Sequence, residues 1–138
     1  MFHLMFSLPF VVVLVRWLLP LPLSGRTKLA GAVMLALASQ YHLWSRFSSG
    51  SVFSPEFPKS LIILFNWAFG AMLLLAVFQL LLDVGALLVA LLRRRRVPIA
   101  ARLRAAIGAT APLLAALGVM QGIKPPPLDA IQLTVKDL

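Results

Sequence analysis

The chain has 138 residues, of which 61% are hydrophobic and only 12% are charged. A soluble domain is typically about half apolar and about a quarter charged, so this composition excludes a single soluble globular core. The absence of cysteine excludes a disulfide framework and a thiolate metal site, and thirteen Lys and Arg against four Asp and Glu give a formal net charge of +9.

The first two of four apolar runs predict membrane-spanning helices over residues 2–23 and 28–45. We expect the first helix to end near Leu19, because prolines follow at positions 20 and 22. This run lacks the basic start and the clear small-residue cleavage site of a secretory signal peptide, so we interpret it as a retained span.

The third and fourth runs predict two further spans, over residues 60–92 and 103–123. As a helix the third would be roughly 50 Å long, more than the ~30 Å hydrocarbon core, so it must tilt or project beyond the bilayer. The fourth contains Pro112, which membrane helices tolerate. The expected fold is an all-α integral membrane protein, with a four-transmembrane-helix bundle over residues 1–123.

The basic residues fall mainly on one side of this predicted topology. Two connections on that side hold eight of them, Arg26, Lys28, Arg93, Arg94, Arg95, Arg96, Arg102 and Arg104; the other side holds Arg46, Lys59, Lys124 and Lys136. The positive-inside rule places the eight in the cytoplasm and both termini outside, in a multi-pass protein of the cell (inner or plasma) membrane. An aromatic belt is expected at the outer boundary, formed by Tyr41, Trp44 and Trp67.

Asp83 is the only acidic residue within a predicted span. Helical spacing places it on a stripe of small and polar residues, Ala76, Gln79, Asp83, Ala86 and Ala90. Such residues mark helix contacts in membranes, so we expect the stripe to face the bundle. Arg16 is the expected ion-pair partner, because the predicted depths of the two residues differ by only about 5 Å. A proton or cation site at Asp83 is the alternative, but it would need more polar partners than this chain offers.

The run of four arginines, Arg93, Arg94, Arg95 and Arg96, immediately follows the third predicted span. Nucleic-acid binding would call for a folded basic surface or interleaved aromatic residues, so we do not expect a nucleic-acid partner. We interpret the run as a topology anchor that attracts anionic lipid headgroups at the cytoplasmic face.

No catalytic, cofactor-binding or metal-binding residue is assigned to this chain. The two histidines, His3 and His42, lie near predicted outer ends, and only Gln40 and Glu56 are nearby as further ligand candidates. The sequence contains no Ser–His–Asp arrangement, Gly-rich phosphate loop or paired carboxylates.

Small-residue stripes in the second and fourth spans predict close helix packing. Their members are Ala32, Ala36 and Ser39 in one, and Ala101, Ala105 and Ala109 in the other. We interpret both as ordinary packing surfaces within the bundle, with homodimerisation through one of them as the alternative.

The last fifteen residues, 124–138, predict a Pro-rich linker followed by one β-strand. The segment "AIQLTVKDL" alternates apolar and polar residues with a period of two. A single strand needs a sheet to pair with, and no other segment of the chain reads as a strand. We therefore expect it to be the first strand of an extracytoplasmic domain that this sequence does not include.

Two segments carry a family resemblance: "LLLDVGALLVALLRRRR" at residues 80–96 and "IKPPPLDAIQLTVKDL" at residues 123–138. Their layout resembles the membrane-anchored branch of the calcineurin-like metallophosphoesterases, in which several spans precede a Pro-containing connector and a first strand. The resemblance implies a hydrolase with two divalent metals in a C-terminal extracytoplasmic phosphoesterase domain in cis. The Asp-x-His, Gly-Asp, Gly-Asn-His and Gly-His-x-His motifs of that family are absent here, so no metal ligand is carried over.

Two functions from different classes remain open. In the first, the chain is the membrane anchor region of a metal-dependent phosphoesterase and holds no catalytic residue itself. In the second, it is a complete small polytopic membrane protein that acts as a transporter subunit or binds partner helices. The terminal strand favours the anchor, since a four-span helper has no need of it.

Overall fold

Five helices form the part of the chain that the computed structural model describes, residues 2–52 and 55–124. They are α1 (Phe2–Val12), which continues as a π-helical segment (Val13–Leu18), α2 (Gly25–Ser39), α3 (Tyr41–Ser49), α4 (Lys59–Arg93) and α5 (Ala101–Gly122). Within those ranges there is no β-strand. The predicted strand and nearly all of the linker lie in residues 125–138, outside the described residues.

The first helix widens before it ends. From Val13 the helix takes π geometry, and the Leu19 N–H donates to the Leu14 carbonyl five residues back (3.0 Å). The helix ends at Leu18, next to the predicted end near Leu19 and within the predicted span of residues 2–23, because Pro20 has no N–H and cannot continue the ladder.

The second predicted span is divided into two helices at Gln40. Ser24 caps α2, since its Oγ accepts a hydrogen bond from the Thr27 N–H (3.2 Å). Gln40 leaves helical geometry (φ −93°, ψ 19°), and α3 begins at the next residue. α3 ends at Gly50 with φ 74°, a left-handed conformation that glycine adopts without steric cost.

α4 and α5 form an antiparallel hairpin. Gly70 faces Ala115, and nearer the start of α4 Asn66 lines one cavity with Val119 and Gly122 near the end of α5. The Trp67 indole N–H also donates to the Pro112 carbonyl (2.9 Å). In this register the first turn of α5 lies close to the level of Asp83, so the last residues of α4 extend beyond the start of α5. With 35 residues α4 is about 52 Å long, whereas the 22 residues of α5 reach only about 33 Å.

A small apolar core lies where α1, α4 and α5 meet. Its buried members are Val13, Met72, Leu75, Ala76 and Ala111. The remaining apolar surface is mostly exposed. In an apolar stretch of 18 residues in each helix, only 22% of the residues in α4 and 11% of those in α5 are buried. These two helices are long and apolar enough to cross a membrane, judged by length and composition.

The bundle has two chemically different ends. We call the end that contains the α1–α2 and α4–α5 connections the arginine end, because it carries Arg26, Lys28, Arg93, Arg94, Arg95, Arg96, Arg102 and Arg104. We call the opposite end, around α3 and the start of α4, the aromatic end. There the His42 ring packs edge-on against Phe69 (5.2 Å), and Tyr41 lies beside Phe65 (6.1 Å).

Candidate functional site at the arginine end

The structure brings together Arg16 and Asp83, the two residues that the sequence pairs. The Arg16 Nε donates to Asp83 Oδ2 at 2.8 Å, which joins the end of α1 to α4. The Asp83 side chain is 16% exposed, but that of Arg16 is 58% exposed. The pair therefore lies at the edge of the bundle rather than in its core.

The stripe that carries Asp83 faces the other helices, as its helical spacing predicts. Ala76 and Gln79 are buried, and the Gln79 Nε2 donates to Asp83 Oδ1 (2.9 Å). The two carboxylate oxygens of Asp83 thus each accept a hydrogen bond from a different side chain, which holds the carboxylate in one orientation.

The π-helical segment sends two consecutive side chains to different helices. Arg16 reaches Asp83 on α4, while the Trp17 indole N–H donates to the Arg104 carbonyl on α5 (2.8 Å). The Trp17 ring lies against Gly108, one turn further along α5, where only a residue without a Cβ leaves room for it. Trp17 therefore fixes the first turns of α5 next to Arg16.

Arg104 lies in the first turn of α5 and is partly buried. Its Nη1 donates to the Ile99 carbonyl in the α4–α5 connection (2.9 Å). Its Nε is buried and has no hydrogen-bond partner among the described residues. A buried guanidinium N–H without an acceptor is costly, and the Gln79 Oε1 beside Asp83 is likewise buried without a partner among the described residues.

These groups surround a cleft of about 710 Å³ between the last turns of α4, the α4–α5 connection and the first turn of α5. Its charged lining residues are Arg16, Asp83, Arg96 and Arg104, which together carry a formal net charge of +2. Apolar residues, among them Leu87 and Pro98, complete the walls. The arrangement can bind an anion by charge and hydrogen bonding.

The four consecutive arginines do not share one environment. Arg93 ends α4, and Arg94 takes a left-handed conformation with φ 51°. Arg96 lines the cleft, whereas the other three do not. The turn at Arg94 reverses the chain, which directs the following residues back along α4.

The described residues form no group of three His, Asp or Glu side chains that could hold a metal ion. His42 lies at the aromatic end, where its Nδ1 is 3.3 Å from the Val52 carbonyl. Glu56 is on the neighbouring connection, and its backbone N–H donates to Ser48 Oγ (3.1 Å). The side chain of His3 is outside the described part of the structure.

Comparisons with models of protein families, with curated proteins and with solved structures give no match.

The packing face of α5 differs from the predicted one. Ala101, Ala105 and Ala109 are exposed, so the interpretation of this stripe as a packing surface within the bundle is wrong. The face toward α1 and α4 instead carries Arg104, Gly108, Ala111 and Ala115. These four are also spaced as a helical stripe (4, 3 and 4 residues apart). Because alanine is so frequent in α5, the spacing of small residues alone does not show which of the two stripes packs against the other helices.

In the sequence, Arg104 reads only as a topology signal and Trp17 has no predicted role. A signal for Arg104 was present, since it is the one basic residue on the stripe that continues into Gly108 and Ala111. No comparable signal exists for Trp17, because nothing in the local sequence indicates the π geometry of residues 13–18 or the helix that the ring meets.

Proposed function

We propose that this chain is a multi-pass membrane bundle that serves as a membrane anchor. The observation that carries the proposal is the exposure of the apolar surface of α4 and α5, of which little is buried by the rest of the described chain. A core helix of a soluble protein would be mostly buried. In a membrane, by contrast, lipid covers such apolar surfaces and keeps them out of contact with water.

The proposed anchor crosses the membrane four times, with two long and two short helices. α1 and its π-helical continuation comprise 17 residues and α2 comprises 15, so they reach about 25 and 22 Å. Both pack against α4, and both expose large apolar side chains such as Leu8 and Met34. A short helix beside longer ones is accommodated by local thinning of the bilayer.

The arginine end is placed in the cytoplasm and both termini outside, in the cell (inner or plasma) membrane. Support comes from eight basic residues that lie in or directly beside the α1–α2 and α4–α5 connections, at one end of the bundle. At the aromatic end, Tyr41 and Trp44 occupy positions typical of an interfacial belt.

Cysteine labelling tests this topology directly, since the chain has no native cysteine to give a background. In intact cells, an impermeant thiol reagent should label Ser49→Cys and Leu138→Cys but not Arg95→Cys. Arg95→Cys should react only after the membrane is permeabilised. Labelling of Arg95→Cys without labelling of Ser49→Cys would reverse the topology, and release of the protein by alkaline carbonate would refute membrane insertion.

The activity proposed for the whole protein is that of a metal-dependent phosphoesterase. Its support is the resemblance of residues 80–96 and 123–138 to the membrane-anchored metallophosphoesterases. An antibody against the loop between α3 and α4 tests it in native membranes: the proposal requires a band well above 15.1 kDa, and a gene that encodes an Asp-x-His motif soon after Leu138. A native protein of 15.1 kDa would favour the complete small membrane protein instead.

A further inference from the structure

We propose that the cleft at the arginine end binds the phosphate group of an anionic phospholipid. The inference deepens the proposed membrane placement and rests on it, because the lipid source is a cytoplasmic leaflet that faces this end. It differs from a general attraction of the four consecutive arginines to the membrane surface, since it assigns the contact to three particular side chains, those of Arg16, Arg96 and Arg104.

The charge of the cleft sets the chemistry of the ligand. Asp83 is engaged by Arg16 through a 2.8 Å ion pair and by Gln79 through a 2.9 Å hydrogen bond, so its charge is already compensated. Arg96 and Arg104 remain as the excess positive charge of the lining. Guanidinium groups bind phosphate oxygens through paired N–H donors, which makes a phosphate group the natural anion for this lining.

Arg104 gives the cleft a specific donor. The hydrogen bond from Nη1 to the Ile99 carbonyl holds its guanidinium in place at the wall of the cleft. A phosphate oxygen in the cleft would meet a positive charge in a fixed position, which favours a charge-assisted hydrogen bond. The exposed guanidinium of Arg96 is free to adjust around the other oxygens, since it belongs to a long flexible side chain, and Arg16, whose Nε is held by Asp83, adds the charge of an exposed side chain at the rim.

The walls of the cleft favour a lipid over a free phosphate ion. Leu87, Ala86 and Ala90 belong to the part of α4 that extends beyond the start of α5, and they line the cleft together with Pro98 and Ile99. Exposed leucines at positions 88, 91 and 92 continue this apolar surface toward the end of α4. Basic clefts between membrane helices on the cytoplasmic side are suited to anionic headgroups, because acyl chains can follow the adjacent apolar surface.

Native mass spectrometry of the purified full chain in mild detergent tests the inference with three probes: phosphatidylglycerol, phosphatidylcholine and inorganic phosphate. The variants are Arg104→Gln and Arg96→Gln, with Arg102→Gln as the matched control. Arg102 is exposed on the same helix, two residues from Arg104, and does not line the cleft. Each variant removes the same charge.

We expect phosphatidylglycerol to bind in preference to phosphatidylcholine. Arg104→Gln should weaken the binding of phosphatidylglycerol about tenfold or more, which is the scale of one charge-assisted hydrogen bond. Arg96→Gln should also weaken it. Arg102→Gln should stay within about twofold of the parent chain. Circular dichroism checks that Arg104→Gln still folds, and Arg96→Gln keeps the test valid if it does not, because the Arg96 side chain is exposed.

Three results would overturn the inference. Equal binding of both phospholipids would show that the cleft does not select an anionic headgroup. An equal loss in all three variants would assign the effect to overall charge. Displacement of the lipid by inorganic phosphate at equimolar concentration would make a free phosphate the ligand. None of these results depends on the cysteine labelling, so a failure of the topology and a failure of the lipid site are separable.

Discussion

The Trp17 ring occupies the space where Gly108 lacks a side chain. A Cβ at position 108 would lie 2.5 Å from the Trp17 Cζ2 atom, closer than real Cβ contacts allow. The same indole donates to the Arg104 carbonyl at 2.8 Å, so the ring cannot move away without losing a hydrogen bond. This contact fixes how α1 approaches α5.

Gly108→Ala should therefore destabilise the bundle by about 1–3 kcal/mol, the usual cost of overpacking. The measurement is the free energy of unfolding in mixed micelles, followed by tryptophan fluorescence during a titration with a denaturing detergent. Gly118→Ala is the matched control, since a Cβ at position 118 meets nothing within 4 Å. It should be neutral or slightly stabilising, because alanine favours helix over glycine. Equal effects of the two changes would contradict the close contact at Trp17.

The Arg16–Asp83 ion pair should give a coupling energy in a double-mutant cycle. Arg16→Gln and Asp83→Asn should each lower the free energy of unfolding of the bundle, and the double variant should lower it by less than the sum of the two single changes. Because the Arg16 side chain is 58% exposed, we expect a coupling of about 1 kcal/mol or less. Strict additivity would exclude a direct interaction. A loss of proton or ion flux in liposomes caused by Asp83→Asn, at unchanged stability, would favour a transporter.

The hydrogen bond between Trp67 and the Pro112 carbonyl should contribute to the α4–α5 hairpin. Trp67→Phe keeps an aromatic ring but removes the N–H, and we expect a loss of about 1 kcal/mol in the free energy of unfolding. Trp44→Phe is the control, because the Trp44 N–H bonds to the Leu37 carbonyl in an exposed position where water can replace it. A larger loss for Trp44→Phe would show that the contact with Pro112 is not stabilising.

Gly50 should be required for the end of α3. Its φ of 74° is disfavoured for a residue with a Cβ, so Gly50→Ala should cost about 1 kcal/mol and reduce the protection of α3 in amide hydrogen exchange. Gly50→Asn should lose less, since asparagine tolerates the left-handed region better than alanine does. If Ala and Asn behave alike, the left-handed conformation is not what ends the helix.

The chain by itself should show no phosphoesterase activity with any divalent metal. Its sequence contains none of the Asp-x-His, Gly-Asp or Gly-Asn-His motifs that a two-metal site of this class would need. Hydrolysis of an aryl phosphate by the pure protein provides the assay, with Mn²⁺, Mg²⁺ or Zn²⁺ added. Metal-dependent turnover that disappears in His42→Ala would contradict the expectation.

The positions of the long helices followed from the sequence. Apolar runs and prolines predict spans over residues 60–92 and 103–123, and the structure has helices at Lys59–Arg93 and Ala101–Gly122. Local backbone preferences and the distribution of apolar residues are enough for this, because a long helix satisfies its own hydrogen bonds. The stripe through Gln79 and Asp83 was readable for the same reason: helical periodicity determines which residues share a face.

Tertiary packing decided which faces of the helices meet. No local pattern in the sequence marks the break at Gln40 or the π-helical turn before Leu19, and none distinguishes the buried stripe of α5 from its exposed alanines. The cleft lined by Arg96 and Arg104 exists only because α4 extends beyond the first turn of α5 and the chain turns back at Arg94. Sequence determines which residues a helix presents, but the register between helices determines which of them share a site.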